Sequence, residues 1–547
     1  MFKLPIEGLS ELKRTQPSMV TDLELVQSAE GKPMGECLYG PTTERGKLIA
    51  ARLANVYTTS VPFLKDTVKW IGKSHHFKEF DAEPFADAWK KHHDTIEFNN
   101  LYHYVEHEKL EVLNRIPIVL LFLSIYSITS PVMFLLSPLL ILLMPFVMLN
   151  MTGRNVDWAS YKTTLYDVLK RHALGGLLVG LKEANANQIV TGLLTAGLFA
   201  VQVYTNVQSC IQFYRSIATV HSVLEKTHDY VEHTVQMMDV VEVHAPPTYT
   251  PFIEDVKKHR AVLSEMLAKL KQIKPMSNSY QEVKQIGRLR YLFYDLKHNA
   301  SWRATIDYSL QFSGYVETML YLNHLLKTKQ INPCLFGKKG DKMVGGYYPP
   351  QPKNERHTYQ IKNVMITGPN ASGKTTFIKS AMLNVLFSQQ IGCGFYKKLY
   401  LKTPYEKLFC YLNIPDTSGR DSLFQAEARR CREVLTEVED GARILCIFDE
   451  LFSGTNPSEA SASAYAFLKH LAELPNVTFL LTTHFLDVCT KLDAQVQNAH
   501  MTTRNEGGEL TYEYKFKMGI SRIKGGLKVL KDLNYPSSIL DCAQNFN

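Results

Sequence analysis

Val364-Met365-Ile366-Thr367-Gly368-Pro369-Asn370-Ala371-Ser372-Gly373-Lys374-Thr375-Thr376, followed by Phe377-Ile378-Lys379-Ser380-Ala381-Met382, is the stretch on which the fold reading turns. Val364 to Thr367 predict a short buried strand, and the residues from Lys374 onward predict a helix. Between them the chain spells GxxxxGK[ST]. In such a loop the glycines let main-chain N–H groups wrap phosphate oxygens, and the helix N-terminus adds the positive end of its dipole. The pattern implies nucleotide binding by Gly368, Pro369, Asn370, Ala371, Ser372, Gly373, Lys374, Thr375 and Thr376. Lys374 would reach the β- and γ-phosphates, and the Thr375 hydroxyl would ligate Mg²⁺.

The complementary half of such a site is a buried strand that ends in acids. Ile444-Leu445-Cys446-Ile447-Phe448-Asp449-Glu450 supplies it, with Asp449 some 75 positions beyond Lys374 (449 − 374). Asp449, at the strand's carboxyl end, would hold Mg²⁺ through water, and Glu450 could polarise the attacking water. Adjacent acids at a strand end can also be merely solvated. Val477-Thr478-Phe479-Leu480-Leu481-Thr482-Thr483 reads as another apolar strand and ends at His484, a candidate γ-phosphate sensor that on its own has a structural alternative.

Working outward, the chain has 547 residues, 61 Lys+Arg against 53 Asp+Glu and a net charge of +8. This length suggests about three domains, and the balance of apolar, aromatic and charged residues excludes disorder as the main theme. The mild positive charge permits an anionic partner without requiring one. Nine cysteines without a CxxC pair argue against a zinc ribbon or a secreted disulfide framework. No cleavable signal is evident at the N-terminus.

The mean hydropathy of −0.14 averages unlike parts. Residues 116–152 contain no Asp, Glu, Lys or Arg, and 184–214 are also free of formal charge. The first run, 116–151, would be ~54 Å long as straight helix against a ~30 Å hydrocarbon core. Pro117, Pro131, Pro138 and Pro145 are expected to break or kink it, giving a tilted span with an interfacial extension or a tight hairpin. The second run, 189–213, could span once; a buried core helix is the alternative for each. The organisation expected is an N-terminal helical region at 1–115, a membrane region at 116–215, a helical lever-like region at 216–328 and the nucleotide-binding domain at 329–547. The stretch from Glu44 to Trp70 reads as helix. Val262, Leu263, Met266, Leu267, Leu270 and Ile273 form one apolar stripe. Lys257, Lys258, Lys269, Lys271, Lys274, Lys284, Arg288 and Arg290 could form a phosphate-contacting face or a solvated one.

Gly368-Pro369-Asn370, Gly373-Lys374-Thr375, Asp449-Glu450-Leu451-Phe452-Ser453-Gly454-Thr455 and Thr482-Thr483-His484-Phe485 together resemble the ATPase domain of the MutS family. Thr417-Ser418-Gly419-Arg420-Asp421-Ser422-Leu423-Phe424-Gln425-Ala426-Glu427 is similar to that family's signature. Asn498-Ala499-His500-Met501, Gly519-Ile520-Ser521 and Pro536-Ser537-Ser538 continue the likeness, which covers roughly 330–545. The resemblance implies an α/β P-loop NTPase fold, akin to transporter-type ATPases, for the C-terminal domain, and the helical patterns and apolar runs ahead of it add a mainly α-helical N-terminal part with transmembrane helices. It implies ATP and Mg²⁺ as cofactors and ATP hydrolysis as the activity. It also implies a homodimer in which Ser418, Gly419 and Ser422 approach the ATP of a neighbouring subunit.

The departures from the family are equally informative. Phe77-Lys78-Glu79 and Phe252-Ile253-Glu254 match the mismatch-reading Phe-x-Glu triplet, but neither lies in a mixed α/β domain ahead of the helical core. Tyr39-Gly40-Pro41-Thr42-Thr43-Glu44-Arg45-Gly46-Lys47 faintly resembles the start of that core. Membrane runs occupy the place of a long lever and DNA clamp. The reading is a membrane-anchored ATPase whose catalytic domain faces the cytosol and whose ATP state moves its helices. The rivals are a DNA-binding repair or recombination-type protein, contacting duplex DNA through the basic helices, and a transporter-type ATPase.

Overall fold

The computed structural model describes residues 2–28, 31–152, 157–171, 186–274, 280–337, 340–351, 355–412, 423–438, 441–506, 509–523 and 525–545. They fall into two compact units, one drawn from 1–80, 234–260 and 307–547, the other from 81–233 and 261–306.

The first unit is built on a six-stranded sheet. Its strands are β1 (Val364–Thr367), β2 (Lys407–Tyr411), β3 (Ile444–Asp449), β4 (Val477–Thr482), β5 (Gln497–Glu506) and β6 (Glu509–Met518), in the order β6-β5-β1-β4-β3-β2. All neighbours run parallel except the antiparallel β5–β6 pair. The apolar run 444–448 has the composition of a strand covered on both faces. Ile444, Cys446 and Phe448 join a core with Val434, Leu468 and Leu471 of the helices Leu423–Val438 and Pro457–Glu473. A second sheet of five short strands, Asn332–Phe336, Lys342–Gly346, His357–Gln360, Cys393–Gly394 and Lys398–Leu401, belongs to the same unit.

Helix α1 (Lys374–Ile391) is buried along almost its whole length, polar residues included. Residues near the N-terminus cover it. The Tyr39 hydroxyl donates to Gln390 Oε1 at 2.8 Å, and Gln390 Nε2 donates to the Leu53 carbonyl at 2.9 Å. Gln389 exchanges two bonds with the main chain of Tyr405, at 2.7 and 2.8 Å. Such glutamines are tolerated in a core because their amides are answered. The segment at Thr42–Thr43 is held by Glu317 of the helix Ala300–Lys327, whose carboxylate accepts from both threonine hydroxyls at 2.6 Å.

Two sequence expectations need correction here. The helical stretch from Glu44 to Trp70 is interrupted, since the helices Glu44–Ala54 and Val61–Lys73 flank a strand, Val56–Thr58, that pairs antiparallel with Leu12–Arg14. A long-range partner that no local periodicity reveals makes this three-residue strand. The first apolar run is also not a hairpin, because Pro117–Met151 is one helix. Pro117 occupies its first turn, where a proline costs little. Pro131, Pro138 and Pro145 each remove one ladder bond, but spacing by seven leaves nearly two turns between them.

The second unit is helical. In it, Tyr280–His298 packs against the start of Pro117–Met151, and the approach requires a glycine: a Cβ on Gly287 would lie 2.2 Å from the Pro117 carbonyl oxygen. Arg290 is buried and donates to the Tyr102 and His103 carbonyls and to Ser124 Oγ. It is therefore an internal clamp, not part of a phosphate-contacting face. Among the described residues Pro117–Met151 is the one helix long and apolar enough to cross a membrane by length and composition. The window Pro117–Phe134 has mean hydropathy 1.8 and is 17% buried. Ile118, Phe122 and Tyr126, four residues apart, are all exposed. The second run lies within the helix Ala186–His244, where Val190, Leu194, Leu198 and Val201 are exposed too, and Phe199 stacks on Phe134 at 5.3 Å.

The cover on α1 gives a direct test. Tyr39→Phe leaves the Gln390 side-chain oxygen without its donor in the core, so a loss of about 1–3 kcal/mol is expected, read as a lower midpoint in denaturant unfolding of the purified chain.

Candidate functional site

The register of the central strands creates the site. Asp449 of β3 is level with Thr482 of β4, and Thr482 is level with Ile366 of β1, so three carboxyl-terminal strand ends open onto one edge of the sheet. Ligand sites of open α/β sheets lie at such edges. The chain leaves β1 through Gly368 (φ 148°), passes Ala371 (φ 63°) and Gly373 (φ 90°), and enters α1 directly at Lys374. Ala371 carries a side chain in a left-handed conformation, which costs on the order of 1–3 kcal/mol and persists only where the surrounding structure dictates it.

Lys374 is 5% exposed and turns back over the loop, its Nζ donating to the Gly368 carbonyl at 3.1 Å and the Pro369 carbonyl at 3.3 Å. Burial holds its pKa below the ordinary lysine value, opposed by the nearby Glu450 and Asp449 carboxylates. The Thr375 hydroxyl donates to Asp449 Oδ2 at 2.8 Å, and Asp449 also accepts from the Thr482 hydroxyl. Glu450 follows with φ 51°, its Oε1 lying 3.0 Å from His484 Nε2 and 3.8 Å from Lys374 Nζ. The hydrogen bond from His484 holds the Glu450 carboxyl below its ordinary range. Burial opposes this, while the charges of His484 and Lys374 add to it. His484 Nε2 is also 2.9 Å from Asn370 Oδ1 and 3.3 Å from Lys374 Nζ.

Asn370, Lys374, Thr375, Asp449 and Glu450 line a cavity of about 810 Å³ with Tyr348, His357 and Tyr514, while His484 lines a smaller cavity on the other side of Asn370. Phe377 of α1 stacks on Phe516 at 4.8 Å and meets the edge of His357 at 5.1 Å. Burial lowers the His357 pKa to about 4, which keeps the ring neutral near pH 7. A helix N-terminus, a buried ammonium and a carboxylate–hydroxyl pair beside an aromatic wall have the chemistry of an anion site with an adjoining ring pocket. Among the described residues no cluster of three or more His, Cys, Asp or Glu could hold a metal alone. The Thr375–Asp449 pair suits Mg²⁺, which takes one or two protein oxygens and completes its octahedron with water and phosphate.

Of the sequence candidates, Asn370, Lys374, Thr375, Asp449, Glu450 and His484 are brought together by these contacts, and Gly368, Pro369, Ala371, Ser372, Gly373 and Thr376 form the loop and first helical turn around them. Ser418, Gly419 and Ser422 lie outside the described residues. Tyr348, His357 and Tyr514 were not legible as site residues, because each comes from a separate segment without a local motif.

The domain described as MutS domain V matches residues 364–547. MutS protein homolog 4 of Mus musculus is 33% identical over 206 residues, which is 34% of this chain and 20% of that protein. DNA mismatch repair protein MutS of Staphylococcus aureus (strain JH9) is 28% identical over 197 residues, 35% of this chain and 22% of that protein. The chain thus spans about a fifth of the length of these curated relatives. The match covers β1, the glycine-rich loop, α1 and every strand of the central sheet. Over residues 364–547 the chain is thus similar to MutS domain V and to these MutS proteins.

Proposed function

We propose that this chain is a membrane-anchored MutS-type ATPase that binds and hydrolyses ATP with Mg²⁺ in a homodimer. The observation that carries the reading is the convergence of Lys374, the Thr375–Asp449 pair and Glu450, the last bonded to His484 behind it, on one cavity at the carboxyl edge of a parallel sheet. In this P-loop reading Lys374 binds the β- and γ-phosphates, Thr375 and Asp449 hold Mg²⁺, and the aromatic wall takes the base. Mg²⁺ would neutralise developing phosphate charge. Glu450, kept ionised by His484, accepts the proton of the attacking water, and His484 stays beside the γ-phosphate. Ser418, Gly419 and Ser422 of one subunit are proposed to close the ATP site of the other.

The exposed apolar faces of Pro117–Met151 and of the start of Ala186–His244 support a lipid-facing region, since a water-exposed patch of this extent is uncommon. The ATP requirement then puts residues 329–547 on the cytosolic side. Changes in ATP state are proposed to pass to the helices of 216–328 and so to the membrane segment. The relatives' names include DNA mismatch repair, and duplex DNA is the alternative partner. Its basic helices are the weaker foundation. Lys257, Lys269 and Lys271 pair with Glu242, Glu265 and Glu232 at 3.6, 2.9 and 2.8 Å, and Arg290 is internal.

Three outcomes are expected. Lys374→Ala weakens nucleotide binding by about tenfold or more, measured by titration with a fluorescent ATP analogue; wild-type affinity would contradict the phosphate role. Glu450→Gln retains ATP binding while turnover falls by about 100-fold or more in a phosphate-release assay; unchanged turnover would show that Glu450 is not the base. In alkaline carbonate extraction of cell membranes the chain stays in the pellet, whereas release to the supernatant would make 116–151 part of a soluble core.

A further inference from the structure

Glu427 closes the signature-like segment 417–427 without a role of its own in the sequence reading, yet it is only 2% exposed and lies beneath the turn that follows Glu450. It sits in the first turns of α2 (Leu423–Val438). Its Oε1 accepts from the Ser453 N–H at 3.0 Å and the Ser453 hydroxyl at 3.1 Å, while its Oε2 accepts from the Gly454 N–H at 3.2 Å. Two further contacts fasten the same pair of elements. The Phe424 ring lies 5.5 Å from that of Phe452, and a Cβ on Gly454 would come within 2.6 Å of the Leu423 side chain.

The turn held in this way is under backbone strain, because Glu450 and Phe452 adopt φ values of 51° and 59°. Left-handed conformations at residues with side chains persist only under outside constraint. Upstream, the Glu450 N–H donates to the Thr482 carbonyl at 3.1 Å, which fixes one end of the turn to β4. Downstream, Glu427 fixes the other end through three bonds to a buried carboxylate, each stronger than a neutral one. If Glu427 lets go, the turn is free to relax, and the Glu450 carboxylate swings with it.

We propose that Glu427 is a positioning residue that holds Glu450 in line for water activation, so that the start of α2 and the base-bearing turn move as one piece. The proposal rests on the reading of Glu450 as the base. The test compares wild type, Glu427→Gln, Glu450→Gln and the double variant, all as full-length chains, for turnover, ATP affinity and thermal midpoint. In Glu427→Gln, Oε2 is replaced by an amide that faces the Gly454 N–H as donor to donor. The expected result is a fall in kcat of about 10- to 100-fold with ATP affinity within about twofold of wild type, since misplacement by an ångström costs on that order. The double variant should turn over no more slowly than Glu450→Gln alone, because both changes act on one step. A lower thermal midpoint with wild-type kcat, or losses that multiply in the double variant, would overturn the positioning role alone. Wild-type turnover in Glu450→Gln would remove the underlying reading instead. If Glu427→Gln does not fold, Ser453→Ala removes only the hydroxyl donor: reduced kcat at unchanged affinity supports the proposal, and wild-type kcat overturns it.

Discussion

The alignment of three parallel strand ends is the constraint on which the site depends. Because Asp449 is level with Thr482 and Thr482 with Ile366, the loop leaving β1 faces the acids that end β3. The Thr375–Asp449 hydrogen bond closes this arrangement across the first turn of α1. A slip of one residue in β3 would turn Asp449 to the opposite face of the sheet and leave Thr375 facing an apolar side chain. The continuous burial of 444–448 on both faces makes such a slip expensive, so the core residues fix the chemistry as well as the stability.

The same economy explains α1. Its N-terminus must present Lys374 and Thr375 without wobble, and burial along nearly its whole length provides that rigidity. One side is taken by the central sheet and the other by residues from the N-terminal segment, through Tyr39 and Leu53, which bond Gln390. Segments far apart in sequence therefore share responsibility for one helix. A change near residue 40 reaches the site through packing, without touching any group that lines the cavity.

Much of the candidate site was legible because its residues come in short local motifs. GxxxxGK[ST] after an apolar strand, Asp-Glu at a strand end and Thr-Thr-His at another each carry their context with them. What escaped reading is set by distance. Glu427 and Ser453 are 26 positions apart, and only the folded turn shows that one answers the other. His357 and Tyr514 join the cavity from separate strands. Val56–Thr58 becomes a strand through its pairing with Leu12–Arg14, and a helical period in its neighbours obscured it. Pro131, Pro138 and Pro145 suggested breaks, but a helix survives isolated lost bonds when intact turns separate them. Arg290 looked like one member of a basic face until its donors were found satisfied inside the helical unit. Charge patterns along a helix do not say which side faces solvent.

In the proposed reading, an ATP site that closes between two copies of the chain would tie nucleotide state to association between subunits. Sedimentation velocity of full-length Glu450→Gln in detergent, with and without Mg²⁺ and ATP, tests this most directly. A shift from monomer to dimer on adding both, absent when Lys374→Ala is combined with Glu450→Gln, is the result expected. An association state that ignores ATP and Mg²⁺ would contradict it.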